Sequence, residues 1–272
     1  MSDKWEQLLQ KLQGYGSAAV AFSGGSDSAL VLKAAMDALG DRCAAFTIEA
    51  PIFPQRELRW AVDAALGLGA AHHRLPVNIF DVPALGENPP ERCYHCKKHI
   101  FANLKRAAGE MGFSFVLDGT NADDSKDFRP GVKALQELEV ISPLRDLGIT
   151  KEEVYMFLDR AGLAQYKRPS NACLASRFPF GEPISIEKLK MVEAAEEVLN
   201  SLGFPHCRVR CHGTIARVEL PSPQIEEAAL EDVRKPLVAG LMKLGFSFVS
   251  LDLSGYTSGS LNRLITGGER HG

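Results

Sequence analysis

No apolar run in this 272-residue chain approaches the roughly 18 residues that a membrane span requires, so no membrane association is expected. The opening residues, Met1-Ser2-Asp3-Lys4-Trp5, show no signal-peptide pattern, which makes the cytoplasm the default expectation. Neither sign of charge is in excess. The formal net charge is −3, so nothing pulls the chain globally toward nucleic acid, and no nucleic-acid partner is expected. Internal repeats are absent. Cysteine is sparse: six in a chain of this length, without a secretory signal, read as reduced thiols, ligands or catalysts rather than as a disulfide framework. What remains is ordinary for a soluble globular protein, with 45% hydrophobic and 24% charged residues and enough length for one large domain or two.

The stretch that organises the rest is Ala18 to Ser28. A short apolar run, Ala18 to Phe22, suits a buried strand and stops at Ser23-Gly24-Gly25. A helical pattern then begins at Asp27, with Leu30, Val31, Ala34, Ala35 and Ala38 on one face and Gly40 placed to end it. A strand that turns through glycines into a helix N-terminus offers outward-pointing amides, the positive end of the dipole and no Cβ to block a phosphate. Bare glycines would leave an ordinary turn as the better reading, but Ser23, Ser26 and Ser28 add hydroxyls and Asp27 a carboxylate. No Gly-Lys-Ser/Thr follows, so this is not the lysine-bearing P-loop. Ser23-Gly24-Gly25-Ser26-Asp27-Ser28 instead resembles the pyrophosphate loop of the N-type ATP pyrophosphatases, which cleave ATP between the α- and β-phosphates to form an adenylate.

A short amphipathic helix over residues 3–14 precedes that strand. After it, strands are expected at Cys43–Ile48, His73–Val77 and Phe113–Leu117, with helices over about Gln55–Leu68 and Cys93–Met111. A further βα-type segment follows at Glu139–Leu144 with a helix over Thr150–Ala161, where Thr150 and Glu153 have capping-box spacing. This alternation predicts an α/β fold with a doubly wound parallel sheet. Ligands of such sheets sit outside the carboxyl ends of the strands, where Ser23 and Asp118 both fall. Gln165 to Ile184 is proline-marked and irregular. The rhythm then changes to helix (Ile186–Leu202), strand (Cys207–Cys211), strand (Thr214–Glu219), helix (Gln224–Leu244) and strand (Phe246–Leu251), a second, smaller α+β domain. A loose tail is expected from Ser254. The expected division is 1–165, a connecting segment 166–185 that carries Cys173, and 186–272.

Cys93-Tyr94-His95-Cys96 is a C-x-x-C with His99 one turn on. A structural zinc wants four ligands, and Cys93, Cys96 and His99 supply three. A redox disulfide suits a helix N-terminus, but the thioredoxin-like position after the first strand is missing. An iron–sulfur cluster on Cys93, Cys96 and a distant cysteine would leave one iron open to a substrate or a sulfide, and Cys173 is the candidate third thiolate. Spacing alone leaves these readings open. Cys43 reads as core. Cys207, Val209 and Cys211 share one strand face; Arg208 and Arg210 share the other, as a solvated face or a phosphate clamp, with the solvated face favoured on residue type alone.

The loop, the Cys93/Cys96 pair, Asp118-Gly119-Thr120-Asn121-Ala122-Asp123-Asp124 and Pro169-Ser170-Asn171-Ala172-Cys173-Leu174-Ala175-Ser176-Arg177 together resemble the LarE family of ATP-dependent sulfur transferases, which build the nickel-pincer nucleotide cofactor of lactate racemase and related enzymes. The resemblance runs from Ser23 to about Glu219. It implies ATP and Mg²⁺ as cofactors, with Asp27 acting through the metal and Ser23–Ser28, Asp118 and Asn121 at the nucleotide. It also implies a small-molecule substrate, pyridinium-3,5-biscarboxylic acid mononucleotide, whose carboxylates are adenylylated and then converted to thiocarboxylates. In some members the cysteine matching Cys173 gives up its own sulfur; others carry a [4Fe-4S] cluster on three cysteines, and Cys93, Cys96 and Cys173 look like that kind. The resemblance turns Arg208 and Arg210 into a clamp for the substrate phosphate. It makes Lys151 a phosphate contact, against a plain solvated lysine, and carries Glu219 only weakly as a metal ligand, since a strand-end glutamate is usually exposed. A homo-oligomer is the family expectation. Two other classes share the loop: a transfer-RNA thiolation enzyme, which would need a basic RNA-binding surface, and an ammonia-using ligase, which would leave the three cysteines without a role.

Overall fold

The computed structural model describes residues 4–126, 130–168 and 172–257. The chain divides into two compact units, residues 1–82 with 91–171, and residues 83–90 with 172–272.

The first unit holds helices α1 (Lys4–Gln13), α2 (Ser26–Leu39) and α3 (Gln55–Leu68) among strands β1 (Ala18–Ala21), β2 (Cys43–Glu49) and β3 (His72–Pro76). A short helix α4 (Pro83–Glu87) lies in the segment that belongs to the second unit. The first unit resumes with α5 (Arg92–Glu110), β4 (Phe115–Leu117), α6 (Pro130–Glu137), α7 (Pro143–Asp146) and α8 (Lys151–Arg160). Its four strands are all parallel in the order β3-β2-β1-β4. The segment expected as a further strand pairs only through an isolated parallel bridge, Leu117 with Ile141, before α7 begins at Pro143.

Small residues let helices approach both faces of this sheet. Ala18 and Val20 of β1 pack with Leu30, Leu8 and Phe157 on one side, while Ala19 packs with Leu104, Ala108 and Leu135 on the other. Alternate residues of one strand therefore feed two cores, which is why the strands read as continuous apolar runs. The fold is the expected doubly wound α/β sheet. Thr150 and Glu153 form the capping box predicted for α8: Glu153 N–H bonds the Thr150 hydroxyl, and Thr150 N–H bonds the Glu153 carboxylate at 2.9 Å.

The second unit contains α9 (Ile186–Ser201), β5 (Arg208–His212), β6 (Ile215–Glu219), α10 (Ile225–Ala229), α11 (Glu231–Lys243) and β7 (Phe248–Leu251). β5 and β6 form an antiparallel hairpin, and β7 joins β6 in parallel. Leu189, Val192 and Leu199 of α9 and Leu241 of α11 are fully buried with Val209 of β5. The single helix expected over Gln224–Leu244 is two, because Leu230 adopts an extended ψ of 147° between them.

The boundaries also differ from a continuous division at 165 and 186. Residues 83–90 join the second unit because Asn88 donates through Nδ2 to the Pro179 carbonyl, and its own carbonyl takes Gly181 N–H. Ile184 N–H bonds Gly86 in the same way. The loose tail expected from Ser254 is tied down as far as it is described, since Tyr256 N–H bonds the Leu220 carbonyl at 2.8 Å. Among the described residues no helix is long and apolar enough to cross a membrane.

Candidate functional site

In the first unit, β1 delivers the chain to residues 23–28 and α2 carries it away. Gly25 precedes α2 and no side chain caps the helix, so no capping group occupies its first-turn amides. Gly24 has φ +72°, and a Cβ there would lie 2.8 Å from Ala61 Cα, so only glycine lets the loop seat against α3. A Cβ on Gly119 would lie 2.9 Å from Ser28 N, so the turn after β4 presses on the same loop.

Four expected residues converge here. Lys151 Nζ donates to Asp27 Oδ2 at 2.6 Å and to Ser26 Oγ at 2.7 Å, and Asn121 Nδ2 donates to Asp27 Oδ1 at 3.1 Å. Lys151 is thus no solvated helix-end lysine. Its backbone N–H is taken by Asp123 Oδ2 at 2.9 Å, which fixes the start of α8 beside the loop. Ser23 and Ser28 bond each other through their hydroxyls at 3.2 Å, and Ser28 also donates to the Gly25 carbonyl, so these two brace the loop from within. Asp118 takes a different role beside this group. It accepts the backbone N–H and the hydroxyl of Thr120 and shapes the turn instead. Uncapped amides and a carboxylate on one loop, with an ammonium from α8 beside them, can take a polyphosphate with its counter-ion.

In the second unit the arginines of β5 are buried, at 7% (Arg208) and 5% (Arg210) exposure, which overturns the solvated face that residue type alone favoured. Arg210 donates through Nε and Nη2 to Glu219 Oε2 at 3.0 and 2.8 Å, and through Nη1 to the Ser176 carbonyl. Glu219 is itself fully buried, not an exposed strand end, and also holds Arg217 at 2.9 Å. Arg208 donates to the Cys207 carbonyl, and its guanidinium lies 5.1 Å from the ring of Tyr256. Burial, and then the neighbouring Arg177, lower the Arg208 pKa from its ordinary value.

Arg177 has no exposed surface and forms a two-pronged pair with Glu196 at 2.8 and 2.9 Å. Burial opposes its charge, yet Glu196 outweighs burial and raises its pKa. Its remaining prong donates to the carbonyls of Ala172 and Cys173, so a buried ion pair pins the peptide that carries Cys173. Sequence reasoning quoted Arg177 within a motif and gave it no role; Glu196 carried no signal, being one acidic residue on an amphipathic helix.

Cys43, Cys207 and Cys211 are buried, and burial pushes the thiols of Cys43 and Cys211 up to about 11. Cys93 is exposed, and Cys96 and Cys173 are half-buried. Cys93 and Cys96 stand at the start of α5 in the first unit, and Cys173 lies in the second. His99 has its Nε2 on the Asn78 carbonyl at 3.1 Å. Among the described residues no group of three or more His, Cys, Asp or Glu side chains is placed to hold a metal ion. Pro169, Ser170 and Asn171 lie outside the described residues.

No family model matches the chain. It is 35% identical over 267 residues, 98% of its length, to pyridinium-3,5-bisthiocarboxylic acid mononucleotide synthase of Lactiplantibacillus plantarum, and covers 96% of that protein. The chain belongs to the LarE family. An uncharacterized protein of Synechocystis sp. is 40% identical over 266 residues, 98% of this chain and 99% of that protein. A glutamine-hydrolyzing GMP synthase of Aeropyrum pernix is 26% identical over 213 residues, 71% of this chain and 41% of the synthase. That likeness reaches an enzyme of another LarE-unrelated product, and it agrees with the α/β pyrophosphatase architecture of the first unit.

Proposed function

We propose that this chain is an ATP-dependent sulfur transferase that turns the carboxylates of pyridinium-3,5-biscarboxylic acid mononucleotide into thiocarboxylates. The observation that carries the reading is the convergence of Lys151, Asn121 and Asp27 on an uncapped glycine loop, in a chain whose family includes a named bisthiocarboxylic acid mononucleotide synthase.

In this reading the amides of the loop and Lys151 bind the ATP phosphates, and Asp27 takes the accompanying Mg²⁺, which neutralises phosphate charge. A substrate carboxylate oxygen attacks the α-phosphorus and pyrophosphate leaves; a sulfur nucleophile then attacks the acyl carbon and AMP leaves. Charge stabilisation by the loop serves the first step. Arg208 and Arg210 clamp the phosphate of the mononucleotide, which a buried guanidinium fork suits.

The sulfur enters at the three cysteines that are not buried. Cys93, Cys96 and Cys173 would hold a [4Fe-4S] cluster, which supplies an open iron able to carry a sulfide. A second reading is sacrifice of the Cys173 sulfur, which needs only that one half-buried thiol, on a peptide pinned by Arg177. Iron and acid-labile sulfide in anaerobic protein support the cluster; a Cys173 that has lost its sulfur, in active protein with Cys93 and Cys96 replaced, supports sacrifice.

The test of the whole reading pairs two variants. Asp27→Ala should abolish pyrophosphate release while circular dichroism stays native. Arg208→Ala should weaken the mononucleotide about 10- to 100-fold and leave ATP affinity near wild type, as expected for a lost charge-assisted contact. Wild-type release by folded Asp27→Ala protein would reject the ATP assignment.

A further inference from the structure

We infer that Arg168, clamped between Trp60 and Glu57, is a positioning residue for the nucleotide loop: it holds the Ser26 hydroxyl, and through it Lys151, in place for ATP. The inference rests on the ATP reading of the first unit and adds residues that the reading does not use.

Three contacts meet at Arg168. Its guanidinium carbon lies 3.3 Å from the centroid of the Trp60 ring, a direct stack of a flat cation on an indole face. Its Nη2 lies 3.4 Å from Glu57 Oε2, with both side chains about four-fifths covered, at 23% and 21% exposure. Its backbone carbonyl accepts the hydroxyl of Ser26 at 3.3 Å.

The hydroxyl proton settles the direction of the chain of bonds. Ser26 has one proton, which goes to the Arg168 carbonyl, so its oxygen lone pairs are left for the Lys151 ammonium at 2.7 Å. Without the carbonyl in place, the Ser26 proton has no fixed partner and its side chain is free to change rotamer, which moves the acceptor that Lys151 uses. The clamp is what keeps the carbonyl there. Glu57 and Trp60 are three residues apart on α3 and share a face. Ala61, the next residue, is the one that Gly24 packs against. One turn of α3 therefore grips the loop twice, directly at Gly24 and through Arg168 at Ser26. A lysine would not replace Arg168, because stacking and the carboxylate contact use separate parts of a planar fork.

The test uses the full-length protein and compares Arg168→Ala, Trp60→Ala and Trp60→Phe, measuring Mg-ATP affinity by titration calorimetry and KM for ATP and for the mononucleotide. Arg168→Ala and Trp60→Ala should each raise KM for ATP by about five- to thirty-fold, the scale of one partly desolvated cation–π contact, with KM for the mononucleotide unchanged. Trp60→Phe keeps a ring face and should stay near wild type. In a Ser26→Ala background, Arg168→Ala should add nothing further. An unchanged KM for ATP in folded Arg168→Ala and Trp60→Ala protein overturns the inference, as does a full additional loss in the Ser26→Ala background. If Arg168→Ala does not fold, the two Trp60 variants decide. A wild-type protein that binds no Mg-ATP removes the ATP reading and this inference together, whereas equal ATP binding by wild type and Arg168→Ala removes the inference alone.

Discussion

Glu219 holds two arginines with one buried carboxylate, Arg210 through Oε2 and Arg217 through Oε1. Arg217 has Asp252 nearby as well, at 3.6 Å, so the loss of Glu219 would fall mainly on Arg210. A buried cation stripped of its carboxylate costs on the order of 3–5 kcal/mol, and Glu219→Ala should lower unfolding stability by that scale in a denaturant titration. Glu137→Ala, which removes the exposed pairing with Lys98, should leave stability close to wild type. Near-equal losses in the two variants would contradict the distinction. The two-residue period of β5 made it legible that Arg208 and Arg210 share a face. It could not show what covers that face. Register does: Glu219 sits opposite Arg208 and diagonal to Arg210 in the hairpin, a relation that exists only once the strands have paired.

At the scale of elements, β2 and β3 carry a bond chain that reaches the start of the glycine loop. Thr47 donates its hydroxyl proton to the Phe22 carbonyl at 2.8 Å, so the 2.8 Å contact from His72 Nε2 must be donated by the histidine. Burial lowers the His72 pKa below its ordinary 6.5, with His73 and Arg74 adding to the effect. The unfolded chain then binds the proton more readily than the folded one. Stability contributed by neutral His72 is therefore fully present above about pH 6.5 and is lost as the pH falls below it toward the folded value. Melting temperatures of wild type should drop between about pH 7 and pH 5 more than those of His72→Gln. Parallel slopes would show that His72 does not take part. The strand, the loop, α2 and the capping box of α8 could all be read from local signals, because each rests on neighbours in sequence. The break at Leu230 could not: Leu230, Leu237 and Leu241 keep helical spacing, so the apolar period runs on through the very residue that turns extended. Nor could the Trp60–Arg168 stack, whose partners no local pattern connects.

For the molecule as a whole, the alternation of strands and helices gave away the parallel sheet, and the change of rhythm after Ile184 gave away a second unit. The excursion at residues 83–90 was hidden, because prolines and a glycine mark a loop without saying which core it joins. Asn88 explains the choice: it has a left-handed φ of 55°, no exposed surface, and hydrogen bonds to the segment around Pro179. Residues 172–272 expressed alone should therefore lack a cooperative melting transition, since the bonds from Gly86 and Asn88 are gone. A sharp transition in that fragment would show that the excursion is dispensable. The same connectivity governs how the protein responds to proteolysis. The chain passes between the units three times, so one nick at any passage yields two fragments that still share at least one core. Nicked protein would migrate as one species on a native gel and separate into two only in denaturant.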